Sequence, residues 1–358
     1  MDDTRPAAAE PAPDAPDAAP PRRGRGRLVP VIIAALVLGG LLAGFETWRL
    51  LTPAAGVATA PRIVEIPARL GLAPIAGLLE EAGVIRSRLG FMLLAVVHGR
   101  ARSLKAGEYE IPAGATTPAV LALIESGRVR RHLVLFREGS TVAELGRDLE
   151  TEGLARADEV RRLARDARFL RALDIDAPSL EGYLFPDSYQ FVKGLTGEEL
   201  LGRMVARMRE HLGPDILAEA RARNLSPHAL LTLASIIERE AVDPQEMPLI
   251  SAVFWNRLRL DMPLQADPTV QYAVGRERAR LSREDLSVDS PYNTYRRSGL
   301  PPGPIASPGR AAIQAALNPA KVSYLYFVSI DDRRHHFSTT LDDHNAAVTR
   351  YRRERPRP

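Results

Sequence analysis

Hydrophobic positions divide the chain before any motif is sought. Residues 28–45, LVPVIIAALVLGGLLAGF, run for eighteen positions without a charge. As a helix rising about 1.5 Å per residue, this run reaches roughly 27 Å, close to a hydrocarbon core of about 30 Å. It predicts one membrane-spanning helix over residues 28–48, with the Trp48 indole at the lipid–water boundary. Arg22, Arg23, Arg25 and Arg27 crowd the other end. Positive residues beside a span stay cytoplasmic, so the N-terminus is expected inside and the remainder outside. A cleaved signal peptide is the rival reading. Ala58-Thr59-Ala60 has the small-residue character of a cleavage site, but Pro61 follows at once and the apolar run is long.

After an Ala/Thr/Pro-rich tether at 49–62, the pattern becomes a repeat. VEIPARLGLAPIAGLLEEAG (64–83) is matched seventy residues later by VLFREGSTVAELGRDLETEG (134–153), and a weaker copy starts at YEIPAG (109–114) and passes Val120 and Ile124 to Gly127. Each copy predicts a short strand, a Pro/Gly turn and an amphipathic helix closed by glycine. Leu72, Ile75 and Leu79, echoed by Val142, Leu145 and Leu149, share one helix face. Small units of this kind resemble the glycan-binding LysM module, although they serve equally well as packing units.

Helical periodicity continues over 156–173, 198–223, 227–242 and 249–260, with a loop-like stretch at 179–191 between the first two. Residues 261–308 are rich in Pro, Gly, Asn and Tyr, which predicts ordered loops. A strand at 324–329 and a helix at 342–353 follow.

Composition narrows this picture. With no cysteine in 358 residues, disulfides, a thiol nucleophile and Cys-ligated metals are excluded. The Ala/Pro-rich tail at 1–27 has too few large apolar residues to pack and is expected to be disordered. A net charge of +4 is mild, so the basic residues at 352–358 read as a solvated tail and not as a nucleic-acid patch.

The candidate chemistry lies on the 227–242 helix, which is apolar nearly all round apart from Thr232, Ser235 and Arg239, yet carries Glu238 and Glu240. Such a helix is buried. A carboxyl against apolar walls has its charged form disfavoured, which suits a general acid. Glu238 shares a face with Leu231 and Ala234 beside Ser235, whose small side chains leave room for a ligand, whereas Glu240 points elsewhere. The competing expectation pairs both glutamates with arginines such as Arg257 or Arg296. Loops around Glu181 and Tyr183, Asn256, Gln265 and Asp267, and Tyr292, Asn293, Thr294 and Tyr295 supply the rings, amides and hydroxyls that a saccharide groove needs. His335, His336 and His344 lie near Asp331, Asp332, Asp342 and Asp343. A metal site is conceivable there, but the Asp331–Arg334 stretch reads as a turn and His344-Asn345 as a helix brace. Neither a metal nor another cofactor is expected.

Nine ordered blocks now carry a resemblance: LASIIEREA (233–241), VFWNRL (253–258), LQADPTV (264–270), YNTY (292–295), GLPPG (299–303), IASPG (305–309), NPA (318–320), YLYFV (324–328) and HHFSTTLDDHN (335–345). Over about 64–351 the chain resembles the endolytic murein transglycosylase family (MltG, YceG-like). That resemblance implies an α+β fold with one N-terminal transmembrane helix at 28–48, a small LysM-like subdomain at 63–130 and a catalytic domain at 131–351. It implies Glu238 as the catalytic residue, cleaving the MurNAc–GlcNAc β-1,4 bond of nascent peptidoglycan with 1,6-anhydro-MurNAc formation. Glu181, Tyr183, Ser235, Glu240, Asn256, Gln265, Asp267, Tyr292, Asn293, Thr294 and Tyr295 become candidates for binding substrate, with Glu181, Glu240 and Asp267 expected to position substrate or loops and not to act as a second catalyst. It further implies a single-pass inner-membrane protein with its catalytic part outside the cytoplasm, glycan strands as substrate, penicillin-binding proteins and other synthases as partners, and no nucleic acid. Two readings compete: an idle, membrane-tethered peptidoglycan-binding scaffold, and a lysozyme-type hydrolase of the same substrate.

Overall fold

A computed structural model describes residues 25–57, 59–275, 281–331 and 333–354. Most of the N-terminal tail with Arg22 and Arg23, residue Asp332 and the end of the basic tail lie outside the described residues. The chain divides into two compact units, one built from the described part of 1–64 with 70–104 and 111–126, the other from 65–69, 105–110 and 127–358.

Helix α1 (Arg25–Leu51) contains the expected span and runs past it. Among the described residues it is the helix long and apolar enough to cross a membrane, and its apolar window is wholly unburied. The tether expected at 49–62 is a packed segment instead. Ala54 and Val57 are buried, and the Val57 carbonyl accepts the Gly114 N–H at 2.7 Å.

The three repeat copies are all present and share one register. Strands β1 (Arg62–Ile66), β2 (Gly107–Ile111) and β3 (His132–Phe136) each have five residues. Each ends three residues before a positive φ, at Arg69 (67°), Gly114 (74°) and Gly139 (73°). Helices α2 (Leu72–Glu81), α4 (Thr117–Ser126) and α5 (Val142–Thr151) each have ten residues and begin three residues after that turn. Helix α3 (Arg88–Val97), which the pattern did not single out, is inserted between the first two copies. The expected faces point inward, with Ile75, Leu79, Val120, Ile124, Leu145 and Leu149 buried. Strands β1 and β2 pair with each other.

The second unit corrects four expectations. The 156–173 pattern is two helices, α6 (Ala157–Leu163) and α7 (Ala167–Ala172), because the Asp166 carboxylate accepts the Arg168 and Phe169 N–H groups and starts a new helix. The 179–191 stretch ends in a strand, β4 (Asp187–Phe191), antiparallel to β3 with His132 opposite Phe191 and Phe136 opposite Asp187. The 198–223 pattern breaks into α8 (Gly197–Leu212) and α9 (Pro214–Ala222), since Pro214 has no N–H to continue the ladder. Next come α10 (Pro227–Glu240) and α11 (Met247–Arg259). The supposed loop at 261–308 also contains α12 (Asp267–Val274) and α13 (Arg283–Leu286). Helices of eight and four residues show too few turns for a 3.6-residue period, and Pro268 in the first turn looks like a loop signal. Helix α14 (Arg310–Leu317), the hairpin β5 (Tyr326–Ser329) and β6 (His335–Ser338), and α15 (Leu341–Glu354) complete the unit. One core gathers around β3, β4, α5 and α8, and a second surrounds α10 with α11 and α14.

Candidate active site

Helix α10 is built to be central. The Ser226 hydroxyl accepts the Ala229 N–H at 3.1 Å as N-cap, Pro227 occupies the first turn, and residues 230–237 are all buried. Glu238, Arg239 and Glu240 form its last, half-buried turn.

A strap, residues 302–309, follows α10 and is tied to it at three levels. His228 Nε2 lies 2.7 Å from the Pro302 carbonyl, the Ile305 N–H donates to Ser235 Oγ at 3.1 Å, and the Gly309 N–H donates to Glu238 Oε2 at 2.8 Å. A carbonyl only accepts, so Nε2 carries the proton; a neutral His228 then accepts from the Tyr183 hydroxyl, 2.7 Å from Nδ1.

The turn after β3 forms the second wall. The Gly139 N–H donates to the Ser307 carbonyl and the Ser307 N–H to the Ser140 carbonyl, both at 2.9 Å. Arg239 Nη1 donates to the Gly139 carbonyl at 3.2 Å. A Cβ on Gly139 would lie 3.7 Å from Glu238 Cγ, and its φ of 73° already favours glycine. A Cβ on Gly309 would collide with the Glu138 carboxyl. Glu138 and Glu238 therefore meet at Gly309, one against its Cα and the other on its N–H.

This setting governs protonation. Burial pushes the Glu238 carboxyl up to about 7; the Gly309 N–H opposes that, the Glu138 charge adds to it, and Arg239 opposes it. The negative end of the α10 dipole disfavours the anion as well. Among the described residues, Oε1 of Glu238 takes no hydrogen bond. Arg257 and Arg296, considered as partners for the glutamates, are used elsewhere. Arg257 donates to the Leu325, Pro263 and Leu264 carbonyls and to Gln265 Oε1, and Arg296 to the Ser287 carbonyl.

The other expected residues fall into two further groups and a scaffold. Glu181 is buried, accepts the Val142 N–H at the start of α5 at 3.1 Å, and is pushed by burial up to about 8. The Tyr272 ring is tilted by 53° against that of Tyr292 at 5.0 Å, and the Tyr292 hydroxyl lies against Gly303. Glu240 is also raised to about 8, first by burial and then by the Asp267 charge; Asp267 itself accepts the Tyr295 hydroxyl. Ser235, Asn256, Asn293 and Thr294 depart from expectation. All four are buried, with their polar groups already taken by the chain. Asn256 donates to the Val322 and Tyr324 carbonyls, Asn293 to those of Leu286 and Val288, Thr294 accepts the Ala266 N–H, and Ser235 holds the strap. Such groups brace loops and have no surface to offer a ligand. Gln265 is exposed, its φ of 52° set by the turn into α12. His335 is paired with Glu246 at 2.7 Å and His344 stacks on Tyr326 in the first turn of α15, where Thr340 is the cap.

Sequence reasoning missed Glu138. The repeat held the signal: the position before the positive-φ residue is Ala68 in the first copy, Ala113 in the second and Glu138 only in the third.

Comparison with known proteins shows what the chain as a whole is similar to. The YceG-like family profile matches residues 64–350. The endolytic murein transglycosylase of Bacillus subtilis (strain 168) is 33% identical over 304 residues, covering 80% of this chain and 84% of that protein. The endolytic murein transglycosylase of Streptococcus pneumoniae serotype 2 (strain D39 / NCTC 7466) is 30% identical over 320 residues, and the match spans 58% of that longer protein. A crystal structure of a putative yceG-like protein from Listeria monocytogenes superposes with a TM-score of 0.58 at 34% identity, covering 80% of this chain and 98% of that one.

Proposed function

The chain belongs to the YceG-like family, and on that footing we propose that it is an endolytic murein transglycosylase whose acid is Glu238. The observation that carries the assignment is the setting of that carboxyl: half-buried at the end of α10, raised to about 7, with Oε2 anchored by Gly309 and Oε1 unbonded among the described residues. A group so placed keeps a proton near neutrality and releases it to a developing negative charge. Glu238 donates to the glycosidic oxygen as the MurNAc C1–O bond breaks and oxocarbenium-like charge builds on C1. The carboxylate left behind takes the proton of the MurNAc 6-hydroxyl, whose oxygen bonds to C1 and closes the 1,6-anhydro ring. The acid ends protonated and no water is consumed. One carboxyl serves both steps because the nucleophile belongs to the sugar, unlike the two-carboxylate scheme of glycosidases.

Glu181, Tyr183, Glu240, Gln265, Asp267, Tyr292 and Tyr295 remain the candidates for positioning the glycan. One observation favours the hydrolase as second reading: Glu138 supplies a second carboxylate beside Glu238. The products separate the readings, because mass spectrometry of digested peptidoglycan gives anhydro ends for a transglycosylase and reducing ends for a hydrolase. Glu238→Gln keeps the size and removes the proton; it is expected to lower the rate about 10²–10⁴-fold. Normal release of anhydro ends by that variant would sink the assignment.

The proposed setting is one crossing of the inner membrane by α1, the N-terminus in the cytoplasm, and everything after α1 outside it, acting on glycan strands as penicillin-binding proteins and other synthases extrude them. Residues 63–130 are read as a LysM-like subdomain.

A further inference from the structure

Helix α3 (RLGFMLLAVV) is apolar on every side. Gly90, Phe91 and Ala95 are buried in the first unit. On the opposite side Leu89, Leu93, Val96 and Val97 stand 70%, 64%, 59% and 71% exposed. At about 100° per residue these four fill a single arc roughly 100° wide. Soluble surfaces carry scattered apolar side chains, but a contiguous cluster marks an interaction site.

The neighbours of α3 point to its partner. Its first turn packs on the last two turns of α1. Gly90 faces the Leu50 and Glu46 side chains, Arg49 donates to the Arg86 carbonyl, and the Arg86 guanidinium lies 5.4 Å from the Trp48 ring. Arg86 Nε also donates to the Pro53 carbonyl at 2.8 Å, which fixes the chain just past α1. Glu46 and Arg49 are the first charges after the uncharged run at 28–45. If that run fills the hydrocarbon, then Glu46, Trp48 and Arg49 lie at headgroup level, and α3 begins at the same level. The helix carries no acid, and arginines mark both its ends: Arg86 just before it and Arg88 at its first position, Arg100 and Arg102 after it. Arg100 pairs with Glu125 at 2.5 Å, whereas Arg88 and Arg102 are exposed. An apolar face between basic ends is the make-up of a helix lying in the plane of an anionic membrane surface.

We propose that α3 rests on the membrane that α1 crosses, with Leu89, Leu93, Val96 and Val97 among the lipid acyl chains and the flanking arginines at anionic headgroups. The proposal depends on α1 being a span. Two contacts, one crossing and one lying flat, then hold the first unit at a fixed height and prevent it from swivelling on a single helix.

The cysteine-free chain makes the test direct. Full-length protein carrying a single Leu38→Cys, Leu93→Cys or Asp158→Cys change is labelled with an environment-sensitive fluorophore. It is reconstituted in vesicles of phosphatidylethanolamine and phosphatidylglycerol containing brominated acyl chains. The Leu38 position reports on the span, Asp158 on water, and Leu93 on the proposal. The expected result is a blue-shifted emission at Leu93, quenched by the brominated lipid several-fold more than at Asp158. A quenched Leu38 with a water-like, unquenched Leu93 would overturn the proposal and leave the anchor standing. An unquenched Leu38 would overturn the span and this inference with it. Blue-shifted emission at Leu93 that brominated lipid leaves unquenched and that grows with protein concentration in detergent would overturn it in favour of a second copy on the same face. A triple Leu89→Gln, Leu93→Gln, Val97→Gln variant is expected to keep its circular dichroism spectrum and its rate on soluble glycan fragments. It is also expected to lose the quenching of a label at Val96→Cys.

Discussion

At the scale of single residues the proposed chemistry turns on Glu238, Glu138 and the Gly309 between them. A proton donor raised to about 7 places the alkaline limb of kcat/KM near that pH, with activity falling as Glu238 ionises above it. Glu138 is one of the causes of that rise, so Glu138→Gln is expected to move the limb to lower pH. Activity should fall severalfold at pH 8 and little at pH 6, which a pH–rate profile reads directly. Gly309→Ala makes the same point by another route. The added methyl meets the far end of a flexible side chain, so it displaces the Glu138 carboxyl and spares the fold. A limb shifted in the same direction, with unchanged thermal stability, is expected; an unshifted limb in both variants would remove Glu138 from the site. Glu238 itself was legible in the sequence, because a carboxyl on an otherwise apolar helix is visible one residue at a time. Glu138 was not, since its partner lies a hundred positions away and its own neighbours read as an ordinary turn.

Elements carry the next lesson, through the repeat and the strap. The repeat was legible because strand, turn and helix recur at fixed spacing, and the turn demands the same positive φ each time. What the repeat could not disclose is that β3 pairs with the later strand β4, in the register that sets His132 opposite Phe191 and Phe136 opposite Asp187. The strap was unreadable for a related reason. Its Pro and Gly residues signal loop, and the hydrogen bonds that hold it come from His228, Ser235 and Glu238. The four groups expected to bind ligand, Ser235, Asn256, Asn293 and Thr294, are spent holding such loops, as buried polar groups must be. Glu181 belongs to this scale too, since it ties the start of α5 to the 180–184 turn. Its folded pKa is about 8, above the unfolded value of 4.5. The folded state thus binds the extra proton, and stability declines as pH rises between those values, by up to about 1.4 kcal/mol per pH unit. Glu181→Gln removes the penalty. It is expected to raise the melting temperature at pH 8 relative to wild type and to flatten its fall from pH 5 to pH 8. A wild-type curve that rises over that interval would contradict this.

At the scale of the whole molecule, the anchor and the site bear on one another. The segment expected to be a loose tether is packed by Ala54 and Val57, and α1 itself is bonded to the residues before α3. A soluble form is therefore better cut at residue 45 than at residue 60, keeping Arg49 and Val57. Such a form is expected to cut purified peptidoglycan at the full-length rate, yet to fail to restore glycan strand length in cells lacking the protein, as chromatography of the strands would show. Full restoration would mean that the anchor has no part in choosing the substrate. The sequence alone determined the long apolar N-terminal helix, the three-copy repeat and the carboxyl on α10, because each is written in neighbouring residues through periodicity, spacing or a charge out of place. Only the tertiary structure decided which polar groups are consumed by loops, which short helices form at 261–308, and that Glu138 stands beside Glu238. Those outcomes depend on contacts between distant segments, where burial and hydrogen bonding, and not local pattern, select the arrangement.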